Sequence, residues 1–424
     1  MAQEVVAPAR TAVLGEGLAV QRLSTFHSLR YADYRALWQG QIGASASQWM
    51  EQIARPLLIL HLTDSALMVG LIAATRMVPM LLIGVWAGVL ADRVDKRRIL
   101  LVSQTVTFAS HLSTAVLILT GLISPWMVFV TTFVAGSAMA LNQPARQSLI
   151  PRLVPRESLG NAIALNSAGV NIMRVGGPSI AGLILAVTDF GELYIAQSIV
   201  YLWVLFSTWQ ISVRTTGGNR GGGSIFSELF DGFEAVRRDP TIFYILLLCL
   251  VLFVSGMPFQ SVFIALIAID ELGFGRSSVG LLVSSVGAGA LLGSLALATL
   301  GDGLKRRGVV MLSMMAAFAV ALLVFARADS LFLIVPALIL AGAMQTSFMS
   351  LNNAYVLGRT PHELHGRVMS LFSLDRGLVP VGATVAGFLA ESLGPQGGLT
   401  VMALICLSST LLLALAVPAL RRIT

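Results

Sequence analysis

Long apolar runs separated by short polar breaks dominate the chain from about residue 36 to its C-terminal end. A helix needs about 20 apolar residues to cross the hydrocarbon layer of a bilayer. Twelve runs fit this description: 36–61, 66–91, 98–121, 125–149, 159–187, 191–212, 241–269, 277–300, 308–326, 330–351, 364–391 and 398–420. The pattern predicts an all-α integral membrane protein with 12 transmembrane helices.

The second half of the chain repeats features of the first half in the same order. The charged hairpin Gly88–Arg98 has a weaker echo at Leu300–Arg307, where the acid lies 210 residues later. Two further pairs share this relation: Asn142 with Asn352 at the same offset, and Arg174–Pro178 with Arg376–Pro380 at an offset of 202 residues. The repeats predict two pseudo-symmetric six-helix bundles, with a binding site between them near the bilayer midplane.

The longest polar interruption divides these predicted bundles. We therefore expect five parts: a cytoplasmic N-terminal tail (1–35), an N-terminal bundle (36–212), a cytoplasmic linker (213–239), a C-terminal bundle (240–420) and a C-terminal tail (421–424). The linker begins with a glycine run typical of flexible tethers. Apolar residues then recur at helical spacing from Phe226 to Val236. This spacing predicts an amphipathic helix, which either lies in the membrane interface or covers the bundle.

Composition and charge support a membrane protein and orient it. Hydrophobic residues make up 56% of the chain and charged residues 12%, about half of what a soluble domain of this size carries. Of the 28 basic residues, 22 fall in tails and loops that would share a face with the N-terminus. Basic loops stay in the cytoplasm, so both termini are predicted to be cytoplasmic. The net charge of +7 is then an orientation signal rather than a nucleic-acid footprint.

The residue types exclude several kinds of chemistry. Cys249 and Cys406 lie in apolar runs and are predicted to be small core residues. Neither lysine follows glycine, so the chain lacks a P-loop for ATP hydrolysis. His362 and His365 supply too few ligands for a metal site. We expect no enzyme activity, no cofactor and no metal, and any uphill transport must use an ion gradient or the membrane potential.

Six charged residues are predicted to lie well inside the membrane, away from the ends of the apolar runs, and a proton-coupled transporter needs such groups. They are the acids Glu51 and Asp375 and the bases Arg55, Arg76, Arg174 and Arg376. Glu51 and Arg55 are four residues apart on one helix face and should pair. Equal depth suggests a second contact between Glu51 and Arg174, and Arg76 is a candidate partner for Asp375. The alternative is a static set of salt bridges, and the single histidines His61 and His111 are interpreted as structural.

The charged hairpin after the second run suggests a gate. Its acid can approach a helix N-terminus, and its bases can grip helix C-termini or acids of the opposite half. Such contacts would form when the cytoplasmic side closes. The candidate gate residues are Gly88, Asp92, Arg93, Lys96, Arg97 and Asp302. The alternative is that these basic residues only fix the orientation of the chain.

These motifs resemble those of the major facilitator superfamily. The sequence Gly88-x-x-Ala-Asp92-Arg93-x-x-Lys96-Arg97-Arg98 resembles its loop signature between the second and third helices, with Asp95 where a second glycine is usual. The stretch Gly177–Gly182 resembles the fifth-helix motif of antiporters, with Ala181 in place of glycine. The segments Leu29–Trp38 and Leu153–Asn161 are similar to the bacterial branch of macrolide, multidrug and enterobactin-type exporters.

The resemblance implies a cavity between the bundles, lined by the first, fourth, seventh and tenth spans. The residues predicted for its wall combine amide and aromatic side chains that suit amphiphilic substrates: Gln48, Trp49, Gln52, Met139, Asn142, Phe259, Gln260, Gln345 and Asn352. The implied function is efflux of a bulky, partly apolar molecule by proton antiport and rocker-switch alternating access. We expect a monomer in the lipid bilayer of a bacterial cytoplasmic membrane, with protons and a small molecule as its partners.

Two other interpretations of the function stay open. Within transport, the chain could move lysophospholipids, or let a solute diffuse without coupling to protons. In a different class, it could be a membrane scaffold or sensor without transport. A scaffold should tolerate the loss of Glu51 and Asp92, whereas a transporter should not.

Overall fold

The computed structural model describes residues 25–213, 240–300, 303–359 and 377–423, and for residues 84–93 it describes the backbone alone. Several predictions fall outside this part of the chain. They concern the amphipathic helix of the linker, the residues His362, His365, Asp302, Asp375 and Arg376, the surroundings of Gly88, and the side chains of Asp92 and Arg93.

Twelve long helices form within the described ranges, and each corresponds to one apolar run of the sequence. They are α1 (Ala32–Thr63), α2 (Ala66–Arg93), α3 (Lys96–Leu119), α4 (Pro125–Leu153), α5 (Leu159–Val187), α6 (Phe190–Trp209), α7 (beginning with Pro240–Val251 and continuing to Glu271), α8 (Arg276–Leu300), α9 (Arg307–Arg327), α10 (Leu331–Arg359), α11 (Val379–Leu393) and α12 (Pro395–Ala416). The predicted all-α fold class is confirmed.

The helix ends follow from local chemistry. Asp64 takes a left-handed conformation (φ 51°) that ends α1. Asp95 is the N-cap of α3, and its carboxylate accepts a hydrogen bond from the backbone of Arg97 at 3.3 Å. Asp189 and Glu192 form a capping box that begins α6. The acid that departs from the usual loop signature, Asp95, therefore starts a helix.

The surface of the described residues suits a bilayer. Ten helices are long and apolar enough to cross a membrane. The charged groups of α1 lower its mean hydropathy, and the described part of α11 has 15 residues. Large apolar side chains cover the outside, including Val187, Phe332 and Leu415, each at least 74% exposed. Continuous exposed apolar surface of this kind marks contact with lipid.

The helices pack as two halves, α1–α6 and α7–α12, that meet through two equivalent contacts. The second helix of each half packs against the fifth helix of the other half, so that α2 contacts α11 and α8 contacts α5. The start of α1 lies beside the start of α5, where the Tyr34 hydroxyl donates to the carbonyl of Ala162 at 2.7 Å. Near the C-terminus, the amide of Gly308 donates to the carbonyl of Ile423. We name the end of the bundle that carries these segments the terminal face, and the other end the opposite face.

Glycine pairs make both contacts close near the opposite face. A Cβ atom on Gly182 of α5 would lie 2.7 Å from the carbonyl oxygen of Ser277 and 3.0 Å from Cα of Gly280 in α8. A Cβ atom on Gly387 of α11 would lie 2.9 Å from Cα of Gly70 in α2. Gly280 follows Gly70 by 210 residues, the offset of the sequence repeat. The duplicated chain therefore places equivalent glycines at equivalent helix crossings.

Polar contacts also join the two halves at the opposite face. Arg276 at the start of α8 donates to Asp189 at 2.8 Å and lies 3.3 Å from Nδ1 of His61. Its guanidinium group also lies 4.6 Å from the ring centroid of Phe190. On the other side of the bundle, the Glu391 carboxylate accepts hydrogen bonds from the amide of Leu67 and the hydroxyl of Ser65. We name the contacts of Arg276 with Asp189 and His61 the Arg276 latch.

Replacing Arg276 by Gln is expected to weaken closure of the opposite face only modestly. The ion pair is partly exposed, and such pairs contribute roughly 0.2–1 kcal/mol. The measurement is the distance between spin labels placed on α6 and α8 at this face. A change of more than about fivefold in the ratio of closed to open populations would contradict this weak effect. Arg276→Lys, which keeps the positive charge, serves as the matched control.

Helix α7 departs from regular α-helical geometry. Three of its segments, Leu252–Gly256, Phe259–Phe263 and Ile267–Glu271, are wound as π-helix. Only a short α-helical turn, Ile264–Leu266, separates the last two. Wide turns of this kind often occur at functional sites. Here Met257 lies between the first two segments and Gln260 lies within the second, and both line the cavity between the halves.

Candidate functional site

A buried cluster of charges lies in the N-terminal half, around the carboxylate of Glu51 in α1. Arg55, one turn further along α1, donates directly to Oε1 of Glu51. Nη2 of Arg76 in α2 lies 3.5 Å from Oε2, and Nδ1 of His111 in α3 lies 3.6 Å from Oε1. The contact between Glu51 and Arg55 predicted from their spacing forms. We name Glu51, Arg55 and Arg76 the Glu51 cluster.

The cluster is well shielded and carries more positive than negative charge. Glu51 is 6% exposed, Arg55 is 4% exposed, and His111 is 1% exposed. With the carboxylate ionised and the histidine neutral, two guanidinium groups share one acid. Nε and Nη1 of Arg55 are buried and find no hydrogen-bond partner among the described residues. A group that binds and releases a proton here changes a charge in a place where charges are costly.

One cavity lies between the two halves and reaches the cluster from one side. It has a volume of about 620 Å³, and its wall comes from α1, α2, α7 and the start of α11. Besides the Glu51 cluster, the lining residues are Gln52, Pro56, Ile72, Ala73, Met77, Met257, Gln260, Ser261 and Val379. Methionine and aliphatic side chains therefore alternate with two amides and one hydroxyl. We name this space the interface cavity.

A second cavity, of about 690 Å³, lies inside the N-terminal half and reaches the cluster from the other side. The wall is formed mainly by one face of α1 and one face of α4, with contributions from α2, α3 and α6. The lining residues are Gln41, Ala44, Gln48, Thr107, His111, Thr132, Ala135, Gly136, Met139, Asn142, Gln143, Arg146 and Tyr201, together with the Glu51 cluster. We name this space the inner slot.

The predicted cavity residues divide among different surroundings. Gln52 and Gln260 line the interface cavity, whereas Gln48, Met139 and Asn142 line the inner slot. Phe259 is fully buried and packs edge-to-face on Phe318, with ring centroids 5.7 Å apart. Gln345 donates to the sulfur of Met257, and Asn352 is buried and donates to the sulfur of Cys249. The interface cavity is thus lined by α1, α2, α7 and α11, and a substrate site lined by α4 and α10 stays a prediction.

The predicted contact between Glu51 and Arg174 does not form. The guanidinium group of Arg174 lies 5.4 Å from the ring centroid of Trp49 and donates to Oγ1 of Thr346 in α10 at 3.3 Å. Trp49 and Glu51 are two residues apart, so they point about 200° away from each other around α1. The prediction from equal depth in the membrane was correct that Arg174 lies beside α1, but Arg174 contacts a different face of this helix from the one that carries Glu51. Arg174 instead connects the two halves.

The described residues of the predicted gate lie at the terminal face. Lys96 and Arg97 begin α3, and Lys96 is buried. Arg97 donates to the carbonyl of Trp209 at the end of α6, which agrees with the idea that it grips a helix C-terminus. This contact stays within one half of the molecule. A gating role for these residues stays a prediction.

The prediction for the two cysteines agrees with the structure, but the sequence interpretation did not place His111 near Glu51. Cys249 and Cys406 are both buried and free, as expected of core residues. His111 was interpreted as structural, but its ring lies beside Glu51 and 5.3 Å from the ring of Tyr201. A lone histidine gives no spacing signal in the sequence. Gln41, Gln48 and Glu51, in contrast, recur at helical spacing along α1, a pattern that the sequence contains.

Comparisons with known proteins agree with this architecture. A family model described as "Transmembrane secretion effector" matches residues 23–423. The staphyloferrin A transporter of Staphylococcus aureus is 26% identical over 354 residues, which cover 82% of this chain and 86% of that protein. Macrolide efflux protein A of Streptococcus pyogenes is 22% identical and covers 85% and 90%. The solved structure of the nucleoside transporter NupG superposes with a TM-score of 0.73 at 13% identity and covers 93% of this chain and 100% of that one.

Proposed function

Because the chain belongs to the transmembrane secretion effector family of major facilitator transporters, we propose that it exports small amphiphilic molecules from the bacterial cytoplasm in exchange for protons. The substrates are drug-like or siderophore-like compounds. The relatives that are named as macrolide, multidrug and siderophore transporters support this substrate class. The chain acts as a transporter rather than an enzyme.

The observation that carries the proposal is the position of Glu51. It is a buried carboxylate near the middle of α1, and it lines the cavity between the halves. A substrate in that cavity and a proton on Glu51 therefore act on the same three charged side chains. Alternating methionine, aliphatic and amide groups give the rest of the cavity a surface that fits amphiphilic molecules of different shapes.

The charges of the cluster supply a mechanism for exchange. With Glu51 ionised, its carboxylate neutralises one of the two guanidinium groups and can accept a hydrogen bond or a positive charge from a substrate. A proton on Glu51 removes the negative charge, leaves only a weaker neutral acceptor, and raises the net charge of the cluster from one to two. Two charges about 4 Å apart interact by about 4 kcal/mol at an effective dielectric constant of 20, so this change is large. Substrate and proton then exclude each other, as antiport requires.

Alternating access would use the two helix contacts between the halves. The paired glycines and the Arg276 latch hold the halves together at the opposite face. The excess of basic residues at the terminal face supports a cytoplasmic location for that face, with both termini inside. In this orientation the structure corresponds to the state that is closed to the outside. Rocking of one half against the other, as in a rocker switch, would open the outer face and close the inner one.

Purified protein in liposomes tests the proposal. An imposed pH gradient should drive accumulation of at least one member of a panel of cationic dyes, macrolides and siderophores, and collapse of the gradient with a protonophore should stop it. Flux that ignores the gradient would instead favour facilitated diffusion or movement of lysophospholipids. Absence of flux for the whole panel, with intact folded protein, would favour a scaffold or sensor.

A further inference from the structure

The proposed function places the substrate in the interface cavity and gives the inner slot no role. We propose that it is the aqueous path by which protons leave Glu51 toward the terminal face, separate from the interface cavity that holds the substrate. The inference rests on the proposed proton antiport. It assigns the substrate to the interface cavity and the proton to the inner slot, and the Glu51 cluster forms the wall that the two cavities share.

The shape of the slot fits a narrow path. On α1 the lining residues are Gln41, Ala44, Gln48, Glu51 and Arg55, which follow one another at alternating steps of three and four residues. Residues with this spacing lie on one face of a helix. Fourteen residues separate the first from the last, which corresponds to about 21 Å along the axis. A stripe of α4 of the same length faces them, from Thr132 to Arg146.

The chemistry of the slot fits water and protons better than an amphiphile. Of its sixteen lining residues, only Ala44, Ala135, Gly136 and Met139 lack a polar side chain. Amides, hydroxyls, a tyrosine and a histidine supply donors and acceptors along its length, which internal water requires. Half of the twelve residues around the interface cavity, in contrast, are apolar or proline. The two spaces therefore differ in what they can hold.

Burial along the slot indicates which end is more exposed. Gln143 is exposed, Gln41 and Asn142 are half-buried, and Thr132 and His111 at the other end are at most 1% exposed. Next to Gln143, the guanidinium group of Arg146 donates to the carbonyl of Leu37, and its Nη2 atom is buried without a partner among the described residues. The more exposed end is thus nearer to the terminal face, where Gln143 is exposed and Arg146 is 4% exposed, and the buried end is at Glu51.

Among the described residues, the charged and titratable groups that contact Glu51 belong to the shared wall or line the slot. Arg55 of α1, Arg76 of α2 and His111 of α3 contact it directly. Tyr194 and Tyr201 of α6 lie against the ring of His111, with centroids 6.0 and 5.3 Å away. The described residues of α7 that face the cluster are Met257, Gln260 and Ser261, which are uncharged. Among the described residues, the one side chain in direct contact with Glu51 that can accept its proton, His111, therefore lies on the side of the slot.

Cysteine accessibility tests whether the two cavities are separate. Both native cysteines are buried, so the background labelling is low. Gln48→Cys places a thiol in the slot, and Gln52→Cys places one a turn away in the interface cavity. The probe is a small water-soluble methanethiosulfonate reagent. Ala44→Leu narrows the slot between its more exposed end and residue 48, and Ala73→Leu narrows the interface cavity.

The expected result is a crossed pattern. Ala44→Leu should slow labelling at position 48 by about an order of magnitude and leave position 52 unchanged, because a narrowed path holds less water. Ala73→Leu should slow labelling at position 52 and leave position 48 unchanged. The control Ala44→Ser should leave the labelling rate of Gln48→Cys unchanged. Equal labelling of position 48 in both leucine variants would overturn the separation of the cavities. Ala135→Leu narrows the slot from the side of α4 and checks the result independently.

Transport measurements then test the role of the slot. In liposomes Ala44→Leu should lose most of the flux that is driven by a pH gradient but keep the exchange of substrate for substrate without a gradient. Ala73→Leu should instead raise KM in both assays. Unchanged coupled flux in Ala44→Leu, or a parallel loss of both activities, would overturn the proton path. A parent protein that ignores the gradient would refute the proposed antiport itself, and the labelling pattern would still decide whether the slot is separate.

Discussion

Replacing Glu51 by Gln is expected to abolish accumulation driven by a pH gradient, whereas exchange of substrate for substrate should persist with a raised KM, because the neutral amide resembles the protonated carboxyl group. Glutamine keeps the size of the side chain and can still hydrogen bond, but it cannot bind and release a proton at neutral pH. Arg55 and Arg76 would then remain without a counter-charge whatever the pH. The measurements are gradient-driven uptake and counterflow in the same proteoliposome preparation. Intact uphill transport would remove Glu51 from the coupling mechanism.

This substitution also has a cost in stability that must be separated from its effect on coupling. Removing one member of a buried ion pair destabilises a protein by about 3–5 kcal/mol, because the other charge stays buried and unpaired. The double variant Glu51→Gln with Arg55→Gln returns the net charge of the cluster to that of the parent. Its melting temperature should therefore recover much of the loss, while uphill transport stays absent. Recovery of uphill transport in the double variant would show that the charges form a static structural set, the alternative that the sequence left open.

The second large effect is expected at the glycine crossings. Gly182→Ala would place a methyl group 2.7 Å from the carbonyl oxygen of Ser277, closer than such atoms can approach. Overpacking of this kind costs about 1–3 kcal/mol. Because the crossing holds the opposite face closed, this free energy acts on one conformational state, and the population should shift about fivefold to 150-fold toward the open state. Distances between spin labels on α5 and α8 measure the shift.

The same helix supplies a matched control for this prediction. A Cβ atom on Gly176 of α5 would meet no atom within 4 Å among the described residues. Gly176→Ala therefore changes the chain in the same chemical way without adding a contact between the halves. It should leave both the distance distribution and transport unchanged. Equal effects of the two alanines would mean that the crossing does not hold the closed state.

The helices were predictable from the sequence because a helix that crosses a membrane needs a long, continuous run of apolar residues. A run of apolar residues long enough to span the bilayer is visible without knowing what it packs against. The contact between Glu51 and Arg55 was equally predictable, because residues four apart on a helix are neighbours whatever surrounds them. The halves were visible because the duplication left residues such as Asn142 and Asn352 at a constant offset.

Contacts between helices were less predictable, since they depend on how each helix is rotated about its axis. Depth alone suggested Glu51 with Arg174, but Arg174 lies against Trp49 on another face of α1. His111 was overlooked for the same reason, because its role follows only from the position of α3 beside α1. The inner slot needs five helices to enclose it. A polar stripe on α1 predicts a polar surface, but the sequence does not say that α4 faces it.

The π-wound segments of α7 have a consequence for how the interface cavity can change its lining. Each wide turn holds one residue more than a turn of α-helix, so tightening it to an α-helical turn rotates everything beyond it by about 100°. Met257, Gln260 and Ser261 sit among these turns at the cavity wall. A slip of one residue in winding would turn the amide of Gln260 away and bring a neighbouring apolar side chain into its place. A change of winding in the seventh helix would thus replace a polar part of the cavity wall with an apolar one.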